Sequence, residues 1–178
     1  MKIAIIGTHA TGKTELCKQL AGYFHEKGVT FTLITEVARK CPFPINEDTS
    51  LKAQEWIIAH QIKEEQAADT DVILTDRSVL DNYVYLYMKL GEDHEALKSL
   101  MLNHLKTYDF LFLTTIQSPK IIDDGFRSTN NEYQREIDEI INKKIHDLEN
   151  FLKENNVEVI PIKNFNDIIK VMQDKQNA

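Results

Sequence analysis

Cysteine is nearly absent. Cys17 and Cys41 are the two cysteines in 178 residues, and their spacing matches no metal-binding pattern. Two such thiols read as reduced side chains without a chemical role, as in a reducing compartment. No apolar run approaches the roughly 18 residues needed to cross a bilayer, which excludes a membrane-spanning helix. Positive charge is in deficit, with 21 Lys and Arg against 28 Asp and Glu, a formal net charge of -7. Non-specific binding to nucleic acid needs a basic surface, so the balance argues against that class while leaving room for a local basic pocket. No low-complexity tract, internal repeat or Gly/Pro-rich linker divides the chain. Met1-Lys2-Ile3 enters an apolar strand directly, so no signal peptide is expected and a cytoplasmic location is.

The chain has enough apolar residues, 42%, to bury a full core, and its length suits one domain spanning residues 1–178. Lys2–Ile6 reads as a strand buried on both faces. A helix is expected from about Lys13 to Lys27, ended by Gly28. "TFTLIT" (Thr30–Thr35) is a second strand, and "CPFPINEDTS" (Cys41–Ser50) a loop. A helix over about Leu51–Ala68 leads to a third strand, "DVILTD" (Asp71–Asp76). Helices over Val79–Leu90 and His94–Lys106 break at Gly91. Tyr108–Thr115 is a fourth strand, followed by a polar, mobile segment over Ser118–Asn131. One long helix is expected over Glu132–Glu154, a fifth strand over Val157–Ile162 and a last helix over Phe165–Gln173, with "QDKQNA" fraying. Alternating strands and helices predict parallel strands with helical crossovers, a three-layer α/β fold.

"GTHATGKTEL" carries the strongest chemistry. Gly7-x-x-x-x-Gly12-Lys13-Thr14 matches the phosphate-binding P-loop at every fixed position, between a strand and a helix. Gly7 and Gly12 let the backbone bend so that N–H groups converge on a phosphate. The run Gly7, Thr8, His9, Ala10, Thr11, Gly12, Lys13, Thr14 and Glu15 is therefore the candidate ATP cradle. Lys13 supplies charge for the terminal phosphates, and Thr14 a hydroxyl for Mg²⁺. His9 has no catalytic role assigned.

Asp76, at the carboxyl end of a central strand, can hold Mg²⁺ directly or through water, or merely cap the next helix. Arg77 can lie between donor and acceptor phosphates, or fix the loop as an ion pair. In "ITEVAR", Glu36 ends the second strand, where open α/β sheets bind ligands. It can take the acceptor's hydroxyl proton while Arg39 holds the same substrate; the bland alternative is a pairing of the acid with a nearby base. In "DDGFRSTNNEYQRE", Arg127 and Arg135 can close over a bound nucleotide as a lid of about residues 118–135, or belong to a solvated loop. Arginine suits that task through its permanent charge and forked donors. Trp56, His60, Gln61, Tyr83, Tyr85 and Tyr87 are candidates for an acceptor ring pocket, at least half of them expected to be core.

"GTHATGKTEL", "ITEVAR", "TDRS" and "DGFRSTNNEYQREID", in this order, resemble the compact P-loop kinases of the ribosylnicotinamide-kinase-like group, whose domain often goes by the name of an AAA-type ATPase. More distantly the chain is similar to deoxynucleoside kinases and thymidylate kinase, over nearly its whole length. The resemblance implies a five-stranded parallel sheet ordered 2-3-1-4-5 with a mobile lid. It also implies that Glu36 acts as base, that Asp76, Arg77 and Ser78 serve metal and phosphate, and that Arg127 and Arg135 reach the donor. Asp76 stands where deoxynucleoside kinases usually carry Glu. No Asn-Lys-x-Asp guanine motif and no further motif of a ring-forming motor is present. The activity expected is Mg²⁺-assisted transfer of the ATP γ-phosphoryl group to a small nucleoside- or nucleotide-like acceptor. Either Glu36 or Asp76 would be the base. The alternatives are a regulatory nucleotide-binding ATPase module and a polynucleotide-end kinase. A homodimer is compatible with the sequence, which does not fix the oligomeric state.

Overall fold

A computed structural model describes residues 1–35, 37–117, 121 and 128–176. Five strands form one sheet: β1 (Lys2–Ile6), β2 (Phe31–Ile34), β3 (Val72–Asp76), β4 (Phe110–Thr114) and β5 (Glu158–Ile162). Their order is β2-β3-β1-β4-β5, and every neighbouring pair is parallel. Helices α1 (Lys13–Glu26), α2 (Leu51–Ala67), α3 (Val79–Leu90), α4 (Glu95–Leu105), α5 (Asn131–Asp147), α6 (Glu149–Glu154) and α7 (Phe165–Gln176) make the crossovers. The expected fold class and strand order are both observed. Among the described residues, no helix is long and apolar enough to cross a membrane.

The pattern of β1 explains the layering. Successive side chains of a strand point to opposite faces. Ile3 and Ile5 enter the core shared with Leu20 and Phe24 of α1 and Ile168 of α7. Ala4 and Ile6 enter the other core, with Leu80 and Tyr83 of α3, Met101 of α4 and Ile137 of α5. All four are fully buried, as a central parallel strand requires. Each fully buried isoleucine contributes about 1.5–3 kcal/mol of hydrophobic stabilisation.

This topology also places the site. β1 lies between β3 and β4, so the chain departs from it in both directions across the sheet. The crevice at the carboxyl end of such a strand is where ligands bind in open α/β sheets. Ile5 pairs in register with Asp76, which brings the end of β3 level with the loop that leaves β1.

Several boundaries differ from expectation. The single helix over Glu132–Glu154 is two, α5 and α6. At Leu148 the backbone leaves helical geometry (φ -98, ψ 5), its N–H shared between the carbonyls of Lys144 and Ile145 at 3.0 and 3.2 Å. The turn lets Leu148, Phe151 and Leu152 all pack on the larger core. The Cys41–Ser50 loop contains a short 3-10 helix, Asn46–Asp48, and another, Val37–Lys40, precedes it. The last helix does not stop at Gln173 but runs to Gln176, where Lys175 pairs with Glu158 of β5. Both cysteines are free thiols, as expected.

A polar cluster lies within the helical layer at Glu65 of α2. Its carboxylate accepts from Tyr108 Oη at 2.6 Å and Gln61 Nε2 at 2.7 Å, and meets His104 Nε2 at 2.7 Å and Lys2 Nζ at 3.0 Å. Burial pushes the Glu65 pKa up, but the His104 and Tyr108 hydrogen bonds and the Lys2 charge outweigh it, leaving it below the ordinary value. A depressed carboxylate stabilises the fold above its unfolded pKa and ceases to do so as pH falls through its folded one. Glu65→Gln is therefore expected to cost about 3 kcal/mol at neutral pH. In urea unfolding at several pH values, the advantage of the parent over this variant should shrink below about pH 4.

Candidate functional site

The loop after β1 is held by side chains from three other elements. Gly7 has φ +134, and a Cβ there would lie 2.4 Å from Thr114 Oγ1 and 2.8 Å from the Thr114 carbonyl. Its N–H donates to Asp81 Oδ1 of α3 at 2.9 Å. Asp81 Oδ2 accepts from both the N–H and the hydroxyl of Ser78, each at 2.8 Å. From α5, Gln134 Nε2 donates to the His9 carbonyl at 2.7 Å, and its own carbonyl accepts from the Thr8 hydroxyl at 3.0 Å. From β4, Thr114 Oγ1 lies 2.6 Å from Thr11 Oγ1 and donates to the Ile6 carbonyl at 2.9 Å.

Ala10 (φ 57) and Gly12 (φ 83) take left-handed backbone, which bends the loop as anion-binding nests require. Gly12 then caps the N-terminus of α1 without a side-chain cap bond, the end of a helix that favours anions. Lys13 is 5% exposed. Its ammonium donates to the Thr8 carbonyl and lies 3.4 Å from Thr11 Oγ1.

Beside the loop, the Thr14 hydroxyl donates to Asp76 Oδ2 at 2.5 Å. Arg77 follows with φ 83, a rare and costly conformation for a side chain of this size. Its N–H still bonds the Ile5 carbonyl at 3.0 Å, while its guanidinium carbon stands 5.2 Å from the Tyr85 ring centroid. Burial disfavours the charge on Arg77, but Tyr85, Asp81 and Asp76 more than offset it and hold the pKa above the ordinary guanidinium value. Nη1 of Arg77 and Nδ2 of Asn82 are buried with no hydrogen-bond partner among the described residues.

These groups border a cleft of about 330 Å³, within the range of small-molecule sites. Its lining brings together most of the residues expected from the sequence: His9, Ala10, Thr11, Gly12, Lys13, Thr14, Glu15, Arg39, Gln61, Asp76 and Arg77. Gly7 and Thr8 are buried in the loop that supports it. Trp56 is not in the lining; it stacks on His60 with ring centroids 3.6 Å apart and packs beside Ile34, Val37 and Ile57. Arg135 is exposed on α5 and also outside the lining. Tyr83 and Tyr85 are buried. Tyr83 donates to Asp93 at 2.8 Å, and Lys144 lies 3.7 Å from the Tyr87 ring centroid, so these two tyrosines tie α3 to its neighbours. Glu36 and Arg127 lie outside the described residues, as does half of the expected lid. Of its described part, Ser128 hydrogen-bonds Glu47, and Asn130 caps α5 through Glu132 and Tyr133 N–H groups at 2.9 and 3.2 Å.

Sequence reasoning did not single out Asp81, Asn82, Thr114 or Gln134. The one available signal is Ser78-x-x-Asp81, a capping box, which is present and doubles as the anchor of Gly7.

Among the described residues no group of three or more His, Cys, Asp or Glu could cage a metal ion. The hydroxyl–carboxylate pair of Thr14 and Asp76 instead offers two hard oxygen donors at the edge of an anion-binding loop. That donor set fits Mg²⁺, which is bound through few protein oxygens and takes its remaining ligands from phosphate and water.

Residues 2–165 match the family described as an AAA domain. No curated protein matches the chain in sequence. Among solved structures, it is similar to thymidylate kinase from Ehrlichia chaffeensis, with TM-score 0.69, 19% identity, and 97% of this chain and 98% of that one covered. It is also similar to a deoxyadenosine kinase from M. mycoides bound to dCMP and a flexible dCDP, with TM-score 0.64, 18% identity and 99% of both chains covered. These similarities establish the fold.

The two loop glycines should respond differently to a methyl group. Nothing lies within 4 Å of a Cβ at Gly12, so Gly12→Ala bears only left-handed strain, about 1 kcal/mol. Gly7→Ala adds a collision with the Thr114 backbone and should cost at least about 3 kcal/mol. Chemical denaturation of the two variants measures the difference.

Proposed function

We propose, since the chain belongs to the AAA-domain family, that its cleft transfers the γ-phosphoryl group of ATP to a small nucleoside- or nucleotide-like acceptor. The observation that carries this is the two-walled cleft. One wall is the phosphate loop with Lys13 and Thr14. The other presents Arg39, Gln61, Arg77 and Asn82 from the segments after β2 and β3. A module that only binds or hydrolyses ATP needs the phosphate loop; the further polar groups that line the same cleft suit an acceptor. A polynucleotide end is disfavoured by the net charge of -7.

In this reading the loop N–H groups and the amino end of α1 bind the β- and γ-phosphates, and Lys13 neutralises charge on them. Thr14 and Asp76 would hold Mg²⁺, which when bound supplies positive charge to the phosphate oxygens. Arg77, permanently charged, stabilises charge that spreads over the transferring group. The bond from the γ-phosphorus to the bridging oxygen breaks, a bond to the acceptor oxygen forms, and ADP leaves. A hydroxyl acceptor must also lose its proton. Asp76 can accept it; Glu36 is the alternative proposed from its place in the sequence.

ADP formation, followed with and without a panel of nucleosides and nucleoside monophosphates, tests the reading: turnover should require one of them. Slow turnover indifferent to every acceptor would favour a regulatory ATPase. Lys13→Ala should abolish acceptor-dependent turnover with the thermal unfolding midpoint little changed. Asp76→Asn should lower the rate by about 10²–10³, the equivalent of several kcal/mol, and move the Mg²⁺ titration to higher concentration. Coincident Mg²⁺ titrations of variant and parent would make Asp76 structural.

A further inference from the structure

We propose that the acceptor carries a phosphomonoester of its own, making it a nucleoside monophosphate rather than a free nucleoside, and that Asn82 and Arg77 hold that phosphate. The proposal rests on the phosphoryl-transfer reading of the cleft for its place in a reaction, and on a separate observation for its chemistry.

That observation is a pair of unpartnered donors. Asn82 is 4% exposed, yet it lines the cleft with its Nδ2 unbonded among the described residues. Arg77 lines the same wall, and its Nη1 is likewise buried and unbonded. Buried polar groups are almost always hydrogen-bonded, and each exception calls for an explanation. An amide nitrogen and a guanidinium nitrogen can only donate. A ligand group that meets either must accept, and one of the two donors is cationic.

A sugar hydroxyl meets that requirement poorly. It accepts, but it is neutral and brings no charge to set against the buried guanidinium. Phosphate oxygens carry several lone pairs, bear negative charge and match the forked guanidinium. The charge of the cleft agrees. The described lining carries Lys13, Lys18, Arg39 and Arg77 alongside Glu15 and Asp76, in a chain whose net charge is -7. Lys13 sits on the phosphate loop, whereas Arg39 and Arg77 come from the segments after β2 and β3.

The backbone is built to keep the pair in place. Arg77 is held in left-handed conformation by its N–H bond to Ile5. The intervening capping box fixes the start of α3 through Ser78 and Asp81, and Asn82 is the next residue. The strain at Arg77 is the kind that persists where a fold over-determines a functional position.

The consequence for chemistry is specific. The second pKa of a phosphomonoester is about 6, so near neutral pH its oxygen is already an anionic nucleophile. That oxygen attacks the γ-phosphorus, the bond to the bridging oxygen breaks, and ADP and a nucleoside diphosphate form. No proton leaves the acceptor, so no general base is needed.

The test is calorimetric titration of the whole protein, saturated with Mg²⁺ and a non-hydrolysable ATP analogue, against matched pairs: each common deoxynucleoside and ribonucleoside and its 5′-monophosphate. At least one monophosphate should bind about 100-fold more tightly than its nucleoside. Asn82→Asp, which sets a carboxylate against the phosphate, should weaken that monophosphate by at least tenfold and shift binding of the ATP analogue by less than twofold. Asn82→Ala should do the same more mildly, and covers the case in which the aspartate variant fails to fold. A nucleoside bound as tightly as its monophosphate, or no binding of either, overturns the proposal. So does a monophosphate preference unchanged in the folded variants. Turnover separates the two readings. A monophosphate that binds but is not converted to diphosphate supports this inference and removes the kinase. A nucleoside that is phosphorylated while monophosphates are ignored keeps the kinase and overturns this inference.

Discussion

The two oxygens of the Asp81 carboxylate serve different parts of the molecule. One accepts the Gly7 N–H at the root of the phosphate loop. The other takes the N–H and hydroxyl of Ser78, which start α3. At 1% exposure the carboxylate has little access to water, so losing any of these bonds would leave a buried polar group unpaired. The loop after β1 and the turn after β3 are thereby fixed to each other. Asp76 and Arg77 on one side of the Ser78–Asp81 box, and Asn82 on the other, inherit positions relative to Lys13 and Thr14. The geometry of the cleft follows from this one tether across the switch point of the sheet.

A second connection runs through the start of α5. Gln134 donates to the His9 carbonyl and accepts from the Thr8 hydroxyl. Six residues earlier, Ser128 bonds Glu47, next to Asn46 of the cleft lining. Lys89 of α3 also donates to the Glu47 carbonyl at 3.2 Å. The entry to α5 thus touches the phosphate loop and the short 3-10 helix that contains Asn46. The two walls are tied through packed, bonded elements, the arrangement that rigid positioning of two reactants requires.

The sheet, its order and its crossovers were legible because they depend on short-range patterns. β1 is apolar at four successive positions, and the P-loop spacing is diagnostic between a strand and a helix. Asp76 and Arg77 were legible from their place at a strand end. What escaped depends on contacts between distant parts of the chain. Asp81 reads locally as a helix cap, and its bond to Gly7 spans 74 residues. Gln134 looks like an ordinary polar helix residue until α5 is packed against the loop. Trp56 drew attention as an aromatic near Gln61, but the helical turn carries it to a different face, where it stacks on His60. The single long helix over residues 132–154 failed for a related reason. Apolar spacing continues through Leu148, and only the packing of Leu148 and Leu152 on the core makes the backbone turn there.

The central claim is that two walls serve two reactants. Phosphorus NMR of the protein with ATP, Mg²⁺ and the nucleoside and nucleoside monophosphate panel addresses it directly, because it follows the γ-phosphoryl group itself. The account predicts that intensity lost from the γ resonance reappears as a new ester or anhydride on one acceptor, equimolar with ADP. Recovery of that phosphorus only as inorganic phosphate, at a rate unaffected by any acceptor, would contradict it.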